Sequence, residues 1–128
     1  MSLRSPLGTA LGLGSAKSGH EHWWRQRVTA VALVPLGMWF ALSLLALGTV
    51  EYSPVFAWAG HPLHAVLLLV FLVTALLHSS LGLQVVVEDY VHHAATRIVA
   101  LIVLNFGHVL LAAAGVYALL KISLGGRP

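Results

Sequence analysis

Three long apolar segments without a single Asp, Glu, Lys or Arg dominate this chain of 128 residues. They cover residues 28–50, 63–87 and 98–120, and each exceeds the roughly 20 residues with which a helix crosses a hydrocarbon core of about 30 Å. Lipid offers unpaired backbone groups no hydrogen-bond partner, and the segments are apolar throughout instead of alternating, which favours helices over a barrel. The sequence therefore predicts an all-α integral membrane protein with three transmembrane helices.

Composition supports this fold class and excludes several kinds of function. Hydrophobic residues make up 59% of the chain and charged residues 9%, far from the balance of a soluble globular domain. Because the chain has no cysteine, it holds no iron–sulfur cluster and no disulfide by itself. The net charge of +3 comes mostly from the stretch before the first helix, so no basic face is left to bind nucleic acid.

The distribution of cations predicts the orientation in the membrane. Five of the seven Lys and Arg residues lie on the side that holds the N-terminus and the second loop: Arg4, Lys17, Arg25, Arg27 and Arg97. We therefore expect residues 1–27 to form an N-terminal cytoplasmic segment and residues 28–128 a three-helix membrane domain with a periplasmic C-terminus. Pro54 and Pro62 are expected to bracket a loop on the outer side.

Two of the eight histidines, His78 and His108, lie deep inside predicted helices. An ionisable side chain at membrane depth is costly and usually marks a functional site. Small residues follow His78, namely Ser79, Ser80 and Gly82, and they allow a flat macrocycle or a second helix to approach the backbone. We therefore favour His78 as an axial haem ligand, whereas the surroundings of His108 equally suit a hydrogen bond between helices.

A carboxylate on the helix face of His78, and a phenol next to it, follow the second apolar segment. His78 and Asp89 are eleven residues apart, which places them within about 20° of each other and about 16 Å apart along the axis. A quinone that accepts electrons also needs protons; Tyr90 can donate a hydrogen bond to it and Asp89 can orient Tyr90 or pass protons. The alternative is a solvated helix end with an interfacial tyrosine. Arg27 is either a partner for a haem propionate or an ordinary positive-inside residue.

One run of residues carries a resemblance to a known family. The run His78-Ser-Ser-Leu-Gly-Leu-Gln-Val-Val-Val-Glu-Asp89-Tyr90, with Arg97 opening the next helix, resembles the hydrophobic membrane anchor of succinate dehydrogenase, the small cytochrome b polypeptide of respiratory complex II. The upstream run His22-Trp-Trp-Arg-Gln-Arg27-Val-Thr-Ala-Val resembles the alphaproteobacterial form of that anchor. The resemblance covers nearly the whole chain.

The resemblance implies a cofactor, a substrate and partners. A second cytochrome b anchor subunit would supply the other half of a haem-binding helical bundle, and His78 would be this chain's axial ligand to a shared haem b. Asp89 and Tyr90 would belong to the ubiquinone site beside an iron–sulfur subunit, and Arg27 would lie near the haem propionates. Electrons from succinate would arrive through a flavoprotein subunit, in the bacterial inner membrane. The anchor would not be catalytic alone, and a trimer of heterotetramers is left open.

Two other functions remain compatible with the sequence. In a self-contained di-haem cytochrome b, His64 and His78 would serve two stacked haems, since fourteen residues place them within about 40° on one face, and His108 could complete a ligand pair. In a purely structural anchor, the histidines would make hydrogen bonds between helices.

Overall fold

The computed structural model describes residues 16–125, with side chains from His20 onward, and this part of the chain is helical apart from short connections. It forms four helices: α1 (Ala16–Leu47), α2 (Tyr52–Gly60), α3 (Pro62–Tyr90) and α4 (Ala94–Ser123). The three long helices are long and apolar enough to cross a membrane. The predicted all-α membrane fold with three spans is confirmed.

Helix α1 begins well before the apolar segment that predicted it. It starts at Ala16 instead of Val28, because an apolar window detects only the part that hydrocarbon requires. The polar turn ahead of the window is helical too, and Arg25 pairs with Glu21 one turn earlier at 2.6 Å. The helix ends at Leu47, where Gly48 adopts a positive φ of 67° that favours glycine. Of the cations used to predict orientation, Arg4 and Arg127 lie outside the described residues, as does the side chain of Lys17.

The connection between the first two spans contains a helix where a loop was expected. Helix α2 spans Tyr52–Gly60, and Pro54 is tolerated because it lies in the first turn, where its missing N–H costs no hydrogen bond. The helix stops before His61, whose extended backbone is the conformation favoured ahead of Pro62. Pro62 then opens α3 as its first residue. The expectation that the prolines bracket a loop was therefore wrong for most of this segment.

Helix α3 is the centre of the arrangement. It packs against α1 on one side and α4 on another, and α2 packs on both α3 and α4. Val91–His93 form the short connection from α3 to α4, which turns the chain back across the bilayer. At 28 to 30 residues the three spans exceed the thickness of a hydrocarbon core, so their ends reach the headgroup region or the helices tilt.

The described residues bury almost nothing among themselves. Ala59 and Ala65 are the only buried hydrophobic residues in this part of the chain, and many large apolar side chains on all three long helices are exposed. A soluble protein would conceal such surface, whereas here it is available to lipid and to other transmembrane helices.

Candidate functional site

A cleft opens between the first half of α1 and the second half of α3. It has a volume of about 830 Å³, within the range of small-molecule and cofactor sites. We call it the α1–α3 cleft. Its lining combines aromatic and apolar groups with histidine, arginine and amide side chains: His22, Trp23, Gln26, Arg27, Ala30, His78, Gly82, Gln84, Val85 and Glu88.

His78 contributes a half-buried imidazole to this cleft. Its Nδ1 lies 3.0 Å from Oγ1 of Thr29 on α1. Thr29 Oγ1 in turn lies 2.8 Å from the carbonyl oxygen of Arg25 and 3.1 Å from that of Gln26. Nε2 of His78 has no hydrogen-bond partner among the described residues. One ring nitrogen is therefore tied to α1 and the other is available to a ligand.

Arg27 lines the same cleft, so the structure brings together two of the residues that the sequence singled out. Its guanidinium lies over the ring of Trp23, 5.1 Å from the ring centroid. This stacking orients the cation without neutralising it. Within residues 20–125 the structure gives Arg27 no carboxylate partner, and its charge remains available to an anionic group.

Asp89 and Tyr90 do not line the cleft with His78 and Arg27. They are the last two residues of α3, both are exposed, and 78% of the Tyr90 surface is accessible. Helix α3 is unbroken between His78 and Asp89, so the angular relation derived from their spacing holds along the helix. At this end of the cleft lie instead Gln84 and Glu88, with Gln84 Nε2 donating to Glu88 Oε1 at 2.9 Å.

Two polar side chains in the cleft were not identified from the sequence. His22 was grouped with the histidines that reach water, yet its Nε2 is buried without a partner among the described residues, as is Oε1 of Gln26. A Cβ added at Gly82 would lie 3.4 Å from Gln26 Nε2, so the glycine leaves room for this side chain. The spacing of His22, Gln26 and Thr29, at i, i+4 and i+7, is the signal that would have placed all three on the face toward α3.

The other deep histidine, His108, is engaged within the chain. Its Nδ1 lies 2.8 Å from the carbonyl oxygen of Leu104, and its Nε2 lies 3.3 Å from Oγ of Ser79 on α3. Nδ1 is therefore used within α4, and Nε2 makes the hydrogen bond between α4 and α3 that was considered for this residue. Ser79 contacts α4 in this way and does not line the α1–α3 cleft.

His64 lies in the first turn of α3 within a group of aromatic rings. Its Nδ1 is 2.9 Å from the carbonyl oxygen of Trp58, and the rings of Trp58, Trp39 and His61 pack around it at centroid distances of 5.2, 6.0 and 5.1 Å. Among the residues that the structure describes, no cluster of three or more His, Asp or Glu side chains could hold a bare metal ion. Of the two deep histidines, His78 is thus the one that presents a free ring nitrogen beside polar and aromatic groups.

Comparison with known proteins shows the family of the chain. The family described as succinate dehydrogenase/fumarate reductase transmembrane subunit matches residues 1–120. The succinate dehydrogenase hydrophobic membrane anchor subunit of Paracoccus denitrificans is 31% identical over 121 residues, which are 94% of this chain and 93% of that protein. The subunits of the same name from Rickettsia conorii and Rickettsia bellii are 34% and 38% identical, over 91% and 69% of this chain and 93% and 70% of theirs. No solved structure gives a significant match. With three membrane-spanning helices and a family match over most of its length, the chain belongs to the succinate dehydrogenase and fumarate reductase transmembrane subunits, as a membrane anchor.

Proposed function

We propose that this chain anchors a succinate:ubiquinone oxidoreductase in the bacterial inner membrane and takes part in its electron transfer to quinone. In this role it binds a second cytochrome b anchor subunit, an iron–sulfur subunit and a flavoprotein subunit. His78 is one axial ligand of a haem b shared with the second anchor, Arg27 binds a haem propionate, and Asp89 and Tyr90 form part of the quinone site. The observation that carries the proposal is the free Nε2 of His78 in the α1–α3 cleft.

The residues of the cleft fit a haem in three respects. His78 offers a neutral ring nitrogen, which is a good axial ligand for iron. Trp23, Ala30 and Val85 supply an apolar wall for a flat macrocycle. Arg27 offers a cation, and the buried, unpartnered Nε2 of His22 and Oε1 of Gln26 are polar atoms that lack partners within the described chain. A haem held by His78 there would supply one-electron transfer.

The end of α3 fits a quinone site that is completed by another subunit. Asp89 and Tyr90 are exposed at the membrane surface on the side of the N-terminal half of α1, and the described residues alone do not enclose them. The phenol of Tyr90 can donate a hydrogen bond to a quinone carbonyl, and the carboxylate of Asp89 can relay protons from water. Asp89 lies on the helix face of His78, about 16 Å from it along the axis, and Tyr90 is the next residue at the end of the helix.

The haem assignment is tested by replacing one deep histidine at a time in the assembled complex. We expect His78→Ala to abolish the low-spin, bis-imidazole EPR signal and to lower the haem content relative to flavin. His108→Leu is the matched control, because both nitrogens of His108 are used within the chain. A complex with His78→Ala that keeps the wild-type haem spectrum would refute the assignment.

The quinone assignment is tested at the phenol. Tyr90→Phe removes one hydroxyl and should lower quinone reduction by roughly 10- to 100-fold in an assembled complex that still oxidises succinate with an artificial electron acceptor. Tyr117→Phe is the matched control, since Tyr117 is 70% exposed on α4 toward the opposite end of the molecule. Unchanged quinone reduction in Tyr90→Phe would exclude the phenol from the site.

A further inference from the structure

Thr29 makes a set of contacts that its place in an apolar helix does not require. Its Oγ1 lies within hydrogen-bond distance of three atoms: the carbonyl oxygens of Arg25 and Gln26 on its own helix, and Nδ1 of His78 on α3. The residue is half-buried at the contact between α1 and α3. This hydroxyl is thus the link between the first helix and the imidazole of His78.

The proton positions follow from what each group can do. A threonine hydroxyl has one proton, and we assign it to the shortest of the three contacts, the 2.8 Å to the carbonyl oxygen of Arg25, which only accepts. Its oxygen then offers lone pairs to the third neighbour, and the hydrogen bond at 3.0 Å forms only if Nδ1 of His78 carries a proton. A neutral imidazole has one N–H, so Nε2 holds the lone pair.

We infer that Thr29 is a positioning residue for the axial ligand: it holds His78 as the Nδ1–H tautomer and fixes the ring so that the lone pair of Nε2 is available in the α1–α3 cleft. The inference rests on the proposed role of His78 and adds a residue of α1 to it. In metal-binding histidines, the ring nitrogen that does not bind the metal generally donates its N–H to an oxygen in this way. This hydrogen bond sets the tautomer and raises the basicity of the nitrogen that binds the metal.

The hydrogen bond between Thr29 and His78 also connects α1 to the imidazole on α3. Because the accepting hydroxyl donates to a backbone carbonyl at the same time, the chain His78 to Thr29 to Arg25 is polarised in one direction, and each hydrogen bond strengthens the next. A stronger donor ligand stabilises the ferric form of haem relative to the ferrous form. Loss of the hydroxyl should therefore weaken haem binding and raise the haem potential.

The test compares Thr29→Val with Thr29→Ser in the purified complex. Valine keeps the shape of threonine without the hydroxyl, and we expect haem to dissociate about 10- to 100-fold more readily into an excess of apomyoglobin. The haem midpoint potential should rise and the low-spin ferric EPR signal should shift. Thr29→Ser restores a hydroxyl at the same position and should return all three properties toward those of the wild type.

A control separates this effect from a general disturbance of helix packing. Ser79→Ala removes the hydroxyl that links α3 to His108 and should leave haem retention, potential and EPR signal unchanged. Flavin content and co-purification of all subunits report assembly. If His78→Ala loses the bis-imidazole signal while Thr29→Val matches the wild type in all three properties, the positioning role is refuted and the haem proposal stands. If His78→Ala keeps that signal, the haem proposal itself fails.

Discussion

The two deep histidines differ in how many ring nitrogens the protein itself uses. Both ring nitrogens of His108 lie within hydrogen-bond distance of oxygens of the protein, the carbonyl of Leu104 on its own helix and the hydroxyl of Ser79 on α3. This side chain therefore contributes to helix packing. In His78, Nδ1 contacts the hydroxyl of Thr29, and Nε2 has no partner among the described residues. Both residues were selected because they lie deep in predicted helices. Their positions in the sequence do not show which side chains of other helices form hydrogen bonds with them. The sequence favoured His78 because small residues surround it, and Ser79 turned out to serve the other histidine.

At the residue scale, the unpartnered amide oxygen of Gln26 yields a prediction. Gln26→Leu keeps the side-chain volume and removes a buried polar atom that has no partner within residues 20–125. If the amide turns so that its Nε2 donates to a propionate of a bound haem, the variant should retain less haem, by the roughly 1.5–3 kcal/mol of a hydrogen bond to a charged group. The haem-free complex should be no less stable than the wild type, because an unsatisfied group has been removed.

The measurements are haem content per flavin and the thermal midpoint of the haem-free complex. Asn105→Leu makes the same amide-to-leucine change on α4, where the side chain is exposed and does not line the α1–α3 cleft, and it should leave haem content unchanged. Equal haem retention in Gln26→Leu and the wild type would show that the Gln26 amide binds no cofactor.

At the scale of the helices, the apolar segments predicted the three spans but not how far each helix continues. The polar turns of α1 from Ala16 onward were not predicted because hydropathy carries no signal there. Helix α2 was not predicted because it is apolar but too short to span a membrane, and Pro54 and Pro62 were interpreted as the limits of a loop. The end of α1 was predicted more closely than its beginning. The apolar segment ends at Val50, and the helix ends at Leu47, where the positive φ of Gly48 stops it. Which faces of the helices meet could not be read from segments that are apolar on every side.

The contact between α3 and α4 provides the second prediction. A Cβ placed on Gly115 of α4 would lie 2.5 Å from Cδ2 of Leu72 and 3.2 Å from its Cδ1. Gly115→Ala should therefore force the Leu72 side chain to shift or separate the helices, at a cost of about 1–3 kcal/mol. Gly107→Ala is the matched control on the same helix, because nothing lies within 4 Å of its added Cβ. The check is the thermal unfolding midpoint of each complex, and equal midpoints would contradict this packing.

At the scale of the whole molecule, the chain is an incomplete bundle. Three long helices with almost no buried side chains present apolar surface in all directions, and part of it must meet lipid and part a partner. The cleft is likewise open on one side, and two of its polar atoms lack partners within the described chain. The sequence indicated a shared site through the family resemblance, whereas composition alone indicated only a membrane protein.

The orientation of the chain in the membrane yields the third prediction. The protein has no cysteine, so single cysteines can report sidedness without a background. Ser53→Cys in α2 and Thr96→Cys in the first turn of α4 change exposed residues that lie at opposite ends of the spans. If the N-terminus is cytoplasmic, a membrane-impermeant maleimide should label Ser53→Cys in intact spheroplasts and Thr96→Cys only after permeabilisation. The reverse pattern would invert the predicted topology.

The stoichiometry of haem yields the fourth prediction, and it separates a shared site from a self-contained one. At membrane depth in the α1–α3 cleft the chain offers one histidine, His78, whose free nitrogen fits an axial ligand, while His108 is engaged elsewhere and His64 packs among aromatic rings. Under the proposed haem ligation by His78, a second axial imidazole is therefore supplied by another subunit. The purified complex should contain one haem per copy of this chain in a pyridine haemochrome assay, and the chain expressed alone should give no low-spin, bis-imidazole spectrum. Two haems per chain, or a bis-imidazole haem in the lone chain, would favour a di-haem cytochrome and would require His64 or His108 to leave the contacts described above.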